Sequence, residues 1–107
     1  MALGVFALQN NVAGSDNTAT GYQALLNNTS SLGNTAIGFG ALVNNTSGIF
    51  KVAIGAEAGS DQTTGDRNIY VSNPGVATEG VTTRIGLAQT RAFIAGIAGA
   101  PVTGMGL

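Results

Sequence analysis

Three carboxylates, Glu57, Asp61 and Asp66, lie within ten residues of one another and are the side chains of this sequence best suited to chemistry. Carboxylate oxygens are ligands of the kind that a hard cation prefers, and two carboxylates at a suitable separation can hydrolyse a glycosidic bond. The three residues do not match the Gly-Gly-x-Gly-x-Asp calcium repeat, and a solvated loop explains them more simply. We therefore expect no metal, no cofactor and no catalytic site.

The composition excludes most other catalytic chemistry. The chain has no histidine and no cysteine, which excludes disulfides, Cys/His zinc sites and nucleophiles activated by histidine. Gly38-x-Gly40 has the beginning of a dinucleotide-binding loop, but Val43 stands where the third glycine belongs. The net charge of -1 is too small for a phosphate-binding surface. We therefore expect neither a nucleotide cofactor nor a nucleic-acid partner.

Membrane insertion is not expected either. The N-terminal residues lack the basic region of a signal peptide, and Gln9 and Asn10 interrupt the first apolar stretch. Residues 92–107 carry no charge over 16 residues, but they contain four glycines, Pro101 and Thr103. The segment therefore falls short of the roughly 18–20 apolar residues that cross a bilayer.

A repeat of 17 residues organises the first part of the chain. Its clearest mark is a glycine column with a constant step of 17, formed by Gly4, Gly21, Gly38 and Gly55. The repeat divides residues 1–75 into four full units and one partial unit: 1–17, 18–34, 35–51, 52–68 and 69–75. Units of this length exclude the helix pairs of tetratricopeptide, ankyrin and HEAT arrays, which need about 33–47 residues.

Small and large residues alternate within a unit, which predicts β-strands. Ile37 and Phe39 alternate with Ala36 and Gly38, a period of two rather than 3.6. A second short strand is predicted around 31–32 and 49–50, and the Asn-Asn-Thr-Ser stretches supply the turns. Each unit is thus expected to form one coil of a parallel β-solenoid, with backbones stacked about 4.8 Å apart. A short helix over 23–26 is the alternative for that segment.

Stacking in register places like residues on like residues. Asn27 is then expected to lie between Asn10 and Asn44 in a ladder of hydrogen-bonded amides, and the glycosylation sequons at 27–30 and 44–47 follow from the same repeat. The absence of charge between Asn17 and Phe50 has the same cause, because like charges in direct cross-strand contact destabilise a sheet.

Each coil has too few large residues to enclose a core. We therefore expect identical rolls to associate through an apolar face around a symmetry axis.

The pattern changes after Gly75. Residues 76–107 are predicted to form a short β extension or a connector to a further domain, with strands over 81–85 and 92–97. Arg84 and Arg91 are expected at a solvated rim, or facing each other or acidic residues across chains.

The sequence from Asn34 to Gly48, Asn-Thr-Ala-Ile-Gly-Phe-Gly-Ala-Leu-x-Asn-Asn-Thr-x-Gly, resembles the head repeats of trimeric autotransporter adhesins. It is still more similar to the repeats of phage tail-fibre-like proteins that carry a C-terminal intramolecular chaperone of the endosialidase type. The resemblance covers residues 1–75, including the array end at 68–75, and a second segment at 83–97 is similar to the one that precedes the chaperone. It implies a left-handed parallel β-roll, all-β and homotrimeric, with a chain that is a piece of a longer fibre.

This resemblance implies a structural and adhesive module rather than an enzyme. The module would be extracellular, on a virion tail or a bacterial cell surface, and would contact a host-surface glycan or protein. The least repetitive loop, 60–67, is the expected contact, through Asp61, Asp66 and Arg67. A fragment of a tail-spike polysaccharide depolymerase and a purely structural spacer are the alternatives.

Overall fold

The computed structural model describes residues 1–96, which form strands, turns and bends. Six short strands make one parallel sheet in sequence order: β1 (Ala2–Leu3), β2 (Thr18–Thr20), β3 (Thr35–Ile37), β4 (Val52–Ile54), β5 (Ile69–Val71) and β6 (Thr83–Ile85). Every strand pairs with the next strand along the chain. The all-β parallel solenoid predicted from the repeat is therefore confirmed.

The sheet register follows the sequence period. Ala19 pairs with Ala2 and with Ala36, and Ala53 pairs with Ala36 and Tyr70, so each step is 17 residues. The last step is shorter, because Tyr70 pairs with Arg84 across 14 residues. The stacked coils give a rod with extents of 46 × 21 × 20 Å.

Each coil contributes one strand, so the prediction of two strands per coil is wrong. Around 31–33 and 49–50 the neighbouring coils still bond, with Phe50 N–H donating to Leu32 O at 3.1 Å. Gly33 and Phe50 adopt φ of 69° and 55°, however. An extended strand requires negative φ, so this side of the coil turns instead of forming a ladder.

The alternative of a helix over 23–26 is also wrong. Gln23 and Leu25 have φ of 60° and 52°, and the segment forms consecutive turns. Its N–H groups donate alternately to a neighbouring coil and to the residue three positions earlier, as Leu25 does to Ala41 O and Leu26 does to Gln23 O. Bonds to neighbouring coils replace the helical bonds that this segment would otherwise make.

Beyond residue 75 the sheet continues for one more coil. The strand predicted over 81–85 is present as β6 with narrower bounds, paired in parallel with β5. The strand predicted over 92–97 is absent from 92–96, and Ile97 lies outside the described residues. Arg84 forms an ion pair with Glu79 of its own chain at 2.8 Å, whereas Arg91 is exposed.

The core of the rod is narrow and made of repeated columns. The middle residues of β2 to β5 point inward and are fully buried, as are the residues of a second alanine column and two leucines: Ala19, Ala36, Ala53, Tyr70, Ala24, Ala41, Ala58, Leu25 and Leu42. The first and third residues of each strand face outward, since side chains alternate across a strand. Only three large apolar side chains, Tyr70, Leu25 and Leu42, are fully buried among the described residues.

The glycine column lies where the backbones of successive coils approach each other closely. A Cβ on Gly21 would lie 2.6 Å from Gly38 O, and one on Gly38 would lie 2.5 Å from the carbonyl carbon of Gly55. Both residues have φ near 130°, a conformation that is open to glycine. In the next coil Ser72 takes the place of the glycine, and the space is slightly wider, because a Cβ on Gly55 would lie 3.1 Å from Ser72 Oγ.

Candidate functional site

The contact loop predicted over 60–67 lies on the fourth coil. Asp61 is exposed, and its N–H donates to Pro74 O at 3.0 Å. Asp66 accepts a hydrogen bond from Ile49 N–H at 3.0 Å. The Arg67 guanidinium stacks 5.4 Å above the ring of Phe50. Two of the three predicted contact residues therefore hold the loop against the preceding coil.

The three carboxylates considered for a cation do not converge. Glu57 and Asp61 are exposed, whereas Asp66 is engaged by the Ile49 backbone. In the part of the chain that the structure describes, no group of three or more acidic, histidine or cysteine side chains could hold a metal.

An apolar surface runs along the outside of the sheet. We define the outer apolar face as Leu3, Ile37, Ile54 and Ile85, together with Tyr22 and Phe39. The first four lie in one outward column of the sheet, which also holds Thr20 and Val71. The side chains of the outer apolar face keep between 42% and 69% of their surface exposed. Continuous exposed apolar patches on soluble proteins are typical of interaction surfaces.

An aromatic file forms part of this face. Phe6 and Tyr22 pack edge to face and Tyr22 and Phe39 stack in parallel, with ring centroids 5.6 Å apart in each pair. The file ends at the fourth coil, where Ala56 occupies the position of Tyr22 and Phe39 in the repeat. Tyr22 and Phe39 therefore cover part of each other's ring faces, while both side chains stay exposed.

Asparagine ladders run through the rod, but the buried ladder is not the predicted one. The predicted column is exposed in part, with one amide bond from Asn10 to Asn27 at 3.3 Å, while Asn44 donates to Ser60 O. The buried ladder uses the second asparagine of each pair. Asn28 donates to Asn11 Oδ1 and Asn45 donates to Asn28 Oδ1, both at 3.0 Å.

A second buried column contains the only lysine of the chain. Asn17, Asn34 and Asn68 each accept a backbone N–H from the next coil through Oδ1 and donate through Nδ2 to a carbonyl of the next coil. Lys51 occupies the third position, is fully buried, and donates through Nζ to Asn45 Oδ1 at 2.6 Å. Burial lowers its pKa from 10.5 to about 8, against the opposing charge of Asp66.

A break in the neighbouring asparagine ladder explains why a lysine fits at this position. Gln62 stands where the next asparagine belongs, and its Nε2 donates to Val76 O and to Glu79 O rather than to Asn45. Asn45 Oδ1 thereby loses the donor that the repeat would provide, and Lys51 supplies one. Two departures from the repeat are thus coupled through a single oxygen atom.

A polar clamp closes the C-terminal end of the core. We use this name for Tyr70, Glu79 and Arg84. The Glu79 carboxylate accepts hydrogen bonds from Tyr70 Oη at 2.8 Å, from Val76 N–H at 3.1 Å, and from Arg84 Nε and Nη2 at 2.8 Å. The Glu79 backbone oxygen also accepts bonds from Gln62 and Asn68. One residue therefore fastens the loop after β5 to both the tyrosine and the buried amides.

The clamp predicts a stability that depends on acid pH. The Arg84 hydrogen bonds, with those from Tyr70 and Val76, hold the pKa of Glu79 below its ordinary value of 4.5. A carboxylate with a lowered pKa stabilises the fold fully above its unfolded pKa and loses that effect as pH falls through the folded pKa. We expect the urea midpoint to fall below pH 4.5 in the unchanged chain. This part of the pH dependence should be missing in Glu79→Gln but retained in Glu57→Gln, whose side chain is exposed. An equal acid response in both variants would contradict the role of the clamp.

A groove of about 410 Å³ lies against β5 and β6. Val71 and Ile85 of these strands line it, together with Gln89, Arg91, Phe93 and Ile94 of the segment after β6. Phe93 is 90% exposed. The groove continues the outer apolar face toward the C-terminal end of the described residues.

Sequence reasoning did not identify Lys51, Tyr70 or Glu79 as important. The first two were detectable as departures from a column, a lysine among asparagines and a tyrosine among alanines. Glu79 carries no such signal, because it lies in the coil whose length drops from 17 to 14 residues.

No membrane-spanning helix occurs in the part of the chain that the structure describes. No family model matches the sequence, and the searches of the curated proteins and of the solved structures found no match.

Proposed function

We propose that this chain is the left-handed roll of a homotrimeric fibre, a structural and adhesive module exposed on a virion tail or a bacterial cell surface. The observation that carries the proposal is the outer apolar face. It exposes more large apolar side chains than the core of a single chain encloses. Burying such a face removes apolar surface from water, which stabilises the assembly by about 25 cal/mol for each Å².

A trimer around one axis suits a rod that carries such a face along its length. Every copy presents the same outer apolar face, so cyclic symmetry buries all of the faces together. The regular stack of coils then gives a stiff rod in which each coil is held by its two neighbours. The sequence resemblance to trimeric head and tail-fibre repeats supports the same arrangement, including its left-handed coil and extracellular location.

The oligomeric state tests this proposal. Light scattering after size exclusion should give three times 10.6 kDa for the unchanged chain. The double variant Ile37→Thr, Ile54→Thr should dissociate, and it should still fold, because Thr20 occupies the same column. Thr29→Val is the matched control, since Val12 occupies that column in the first unit. A folded monomer of the unchanged chain, or a trimer that survives the double variant, would overturn the assignment of this face.

Receptor contact is the adhesive part of the proposal and has a separate test. Asp66 anchors the loop through a hydrogen bond from Ile49 N–H, so its substitution would change the loop more than that of Arg67, whose exposed side chain only stacks on the Phe50 ring. The better test is therefore the double variant Asp61→Asn, Arg67→Gln, with Asp16→Asn as a control at an exposed acid in the first coil. The pair should reduce binding of the labelled trimer to host cells or a glycan array and leave its mass unchanged. Equal binding of pair and control would refute the contact.

A spacer without receptor contact is the second candidate. The observation that favours it is that Asp66 and Arg67 are engaged within the chain, by the Ile49 backbone and by the Phe50 ring. Under this alternative the trimer forms, but neither cells nor glycans bind it.

A further inference from the structure

The amine of Lys51 is held against one side-chain amide in a place that water does not reach. Its Nζ lies 2.6 Å from Asn45 Oδ1, and both side chains are completely buried. A hydrogen bond of this length places the carbonyl carbon of Asn45 next to the amine nitrogen. A nucleophile and an amide carbon are therefore kept together by the fold.

Burial also makes the amine more nucleophilic than a surface lysine. The charged form is disfavoured without water, and the pKa of Lys51 falls to about 8. About one tenth of the amines are then uncharged at pH 7, against far fewer for a lysine of ordinary pKa. Only the uncharged amine carries the lone pair that attacks a carbonyl carbon.

We propose that Lys51 and Asn45 join through an intramolecular isopeptide bond. The lone pair of Nζ attacks Asn45 Cγ, so that a C–N bond forms between the two side chains. The bond from Cγ to Nδ2 then breaks, and Nδ2 leaves as ammonia with a proton that came from the lysine amine. One amide is exchanged for another, so nothing is oxidised or reduced and no further reactant is needed.

The surroundings of the leaving nitrogen fit this exchange. Asn45 Nδ2 lies 3.0 Å from Asn28 Oδ1, 3.0 Å from Gly48 O and 3.1 Å from Ser31 Oγ. The Ser31 hydroxyl is a group that can accept one proton and return another, and it stands beside the atom that must become ammonia. These contacts also fix the amide in place, with its oxygen toward the lysine amine.

Other buried asparagines of the rod serve as internal comparisons. The Oδ1 atoms of Asn17, Asn34 and Asn68 accept hydrogen bonds from backbone N–H groups. A backbone N–H is not a nucleophile, so these three amides stay intact. The cross-link is expected at one coil, the one where the repeat replaces asparagine with lysine.

The mass of the intact chain tests the proposal. After denaturation, the unchanged protein should weigh less than its sequence by one ammonia, and peptide mapping should recover residues 45 and 51 joined to each other. Lys51→Asn should restore the full mass while keeping the fold, because asparagine occupies that column in the other coils. Lys51→Met is a second variant that cannot form the bond.

Each outcome decides the question. Loss of ammonia in the unchanged chain alone, with the 45–51 cross-link, supports the bond. A full mass in the unchanged chain overturns it and leaves Lys51 as a hydrogen-bond donor to Asn45. A loss that persists in Lys51→Asn also overturns it, because the ammonia would then come from another residue.

Discussion

Gly38→Ala should destabilise the roll more than any other glycine-to-alanine change in the repeat column. A Cβ at this position would lie 2.5 Å from the carbonyl carbon of Gly55, in the next coil, and the backbone φ is 133°. Strained backbone of this kind costs about 1–3 kcal/mol, and overpacking a tight site costs a similar amount again. We expect a total loss of about 3–5 kcal/mol in the free energy of unfolding, measured by urea denaturation.

Two neighbouring glycines provide graded controls. Gly55 has a similar φ of 119°, but its added Cβ would meet Ser72 Oγ at 3.1 Å, so Gly55→Ala should cost less. Gly40 has φ of 63°, and the nearest atom to its Cβ would be Glu57 Cγ at 3.7 Å. Its column contains Phe6, Gln23 and Glu57, all at positive φ, so Gly40→Ala should cost about 1 kcal/mol. Equal losses in the three variants would contradict the close approach of the coils.

Tyr70→Ala should remove the largest buried side chain of the core and cost about 3–5 kcal/mol. Tyr70 is fully buried, although its column otherwise holds the small Ala19, Ala36 and Ala53. Its ring fills space left by another change. Gly59 stands where the repeat has Leu25 and Leu42, and a Cβ on Gly59 would lie 3.0 Å from the tyrosine ring.

The two departures from the repeat, Gly59 in a leucine column and Tyr70 in an alanine column, should compensate for each other. Gly59→Leu alone would place a side chain in the space of the ring, and Tyr70→Ala alone would leave a cavity. The double variant restores the pattern of the preceding coils, so we expect a favourable coupling of about 1–3 kcal/mol in a double-mutant cycle. The φ of Gly59 is 66°, close to the 52° of Leu42, so the backbone accepts leucine there. Its Cβ would lie 2.7 Å from Leu42 Cδ2, the end of a flexible side chain that must shift. Additive losses would refute the exchange of volume between the two sites.

Tyr70→Phe separates the ring from the hydroxyl. The variant keeps the volume of the ring and removes only the hydrogen bond to Glu79, so we expect a loss of about 1 kcal/mol. A loss as large as that of Tyr70→Ala would mean that the clamp, rather than the packing of the ring, dominates the end of the core.

Hydrogen exchange should show where the roll opens in these variants. In a rod of stacked coils each coil contacts only its neighbours. Tyr70→Ala should therefore increase exchange near β5 and β6 while β2 and β3 stay protected. Gly38→Ala should weaken the junction between β3 and β4 instead.

Much of the fold was predictable because the repeat and the sheet have the same period. A constant step of 17 between like residues implies parallel stacking in register, and the pairing of Ala19, Ala36 and Ala53 follows it. The absence of a second strand in each coil was not predictable. Its residues have the apolar character of a strand, but Gly33 and Phe50 turn the chain through positive φ, and nothing in the identity of phenylalanine signals that conformation.

The candidate site was less predictable than the fold. The loop 60–67 was singled out for its charge, but charge alone does not show that Asp66 bonds a backbone N–H or that Arg67 lies over Phe50. Likewise, Asn27 and Asn28 are identical neighbours in the sequence. Only the direction of each side chain decides that the second one is buried in the ladder.

The sequence by itself determined the period, the parallel stack, the glycine column and the scarcity of charge, because stacking in register repeats each of these features from coil to coil. The tertiary structure decided what happens where the repeat departs from itself. Lys51 supplies the hydrogen bond to Asn45 that Gln62 does not make, Tyr70 fills the space left by Gly59, and Glu79 joins the last coil to the core. The repeat pattern does not show that these residues are coupled, since the coupling depends on volume and hydrogen-bond geometry between coils.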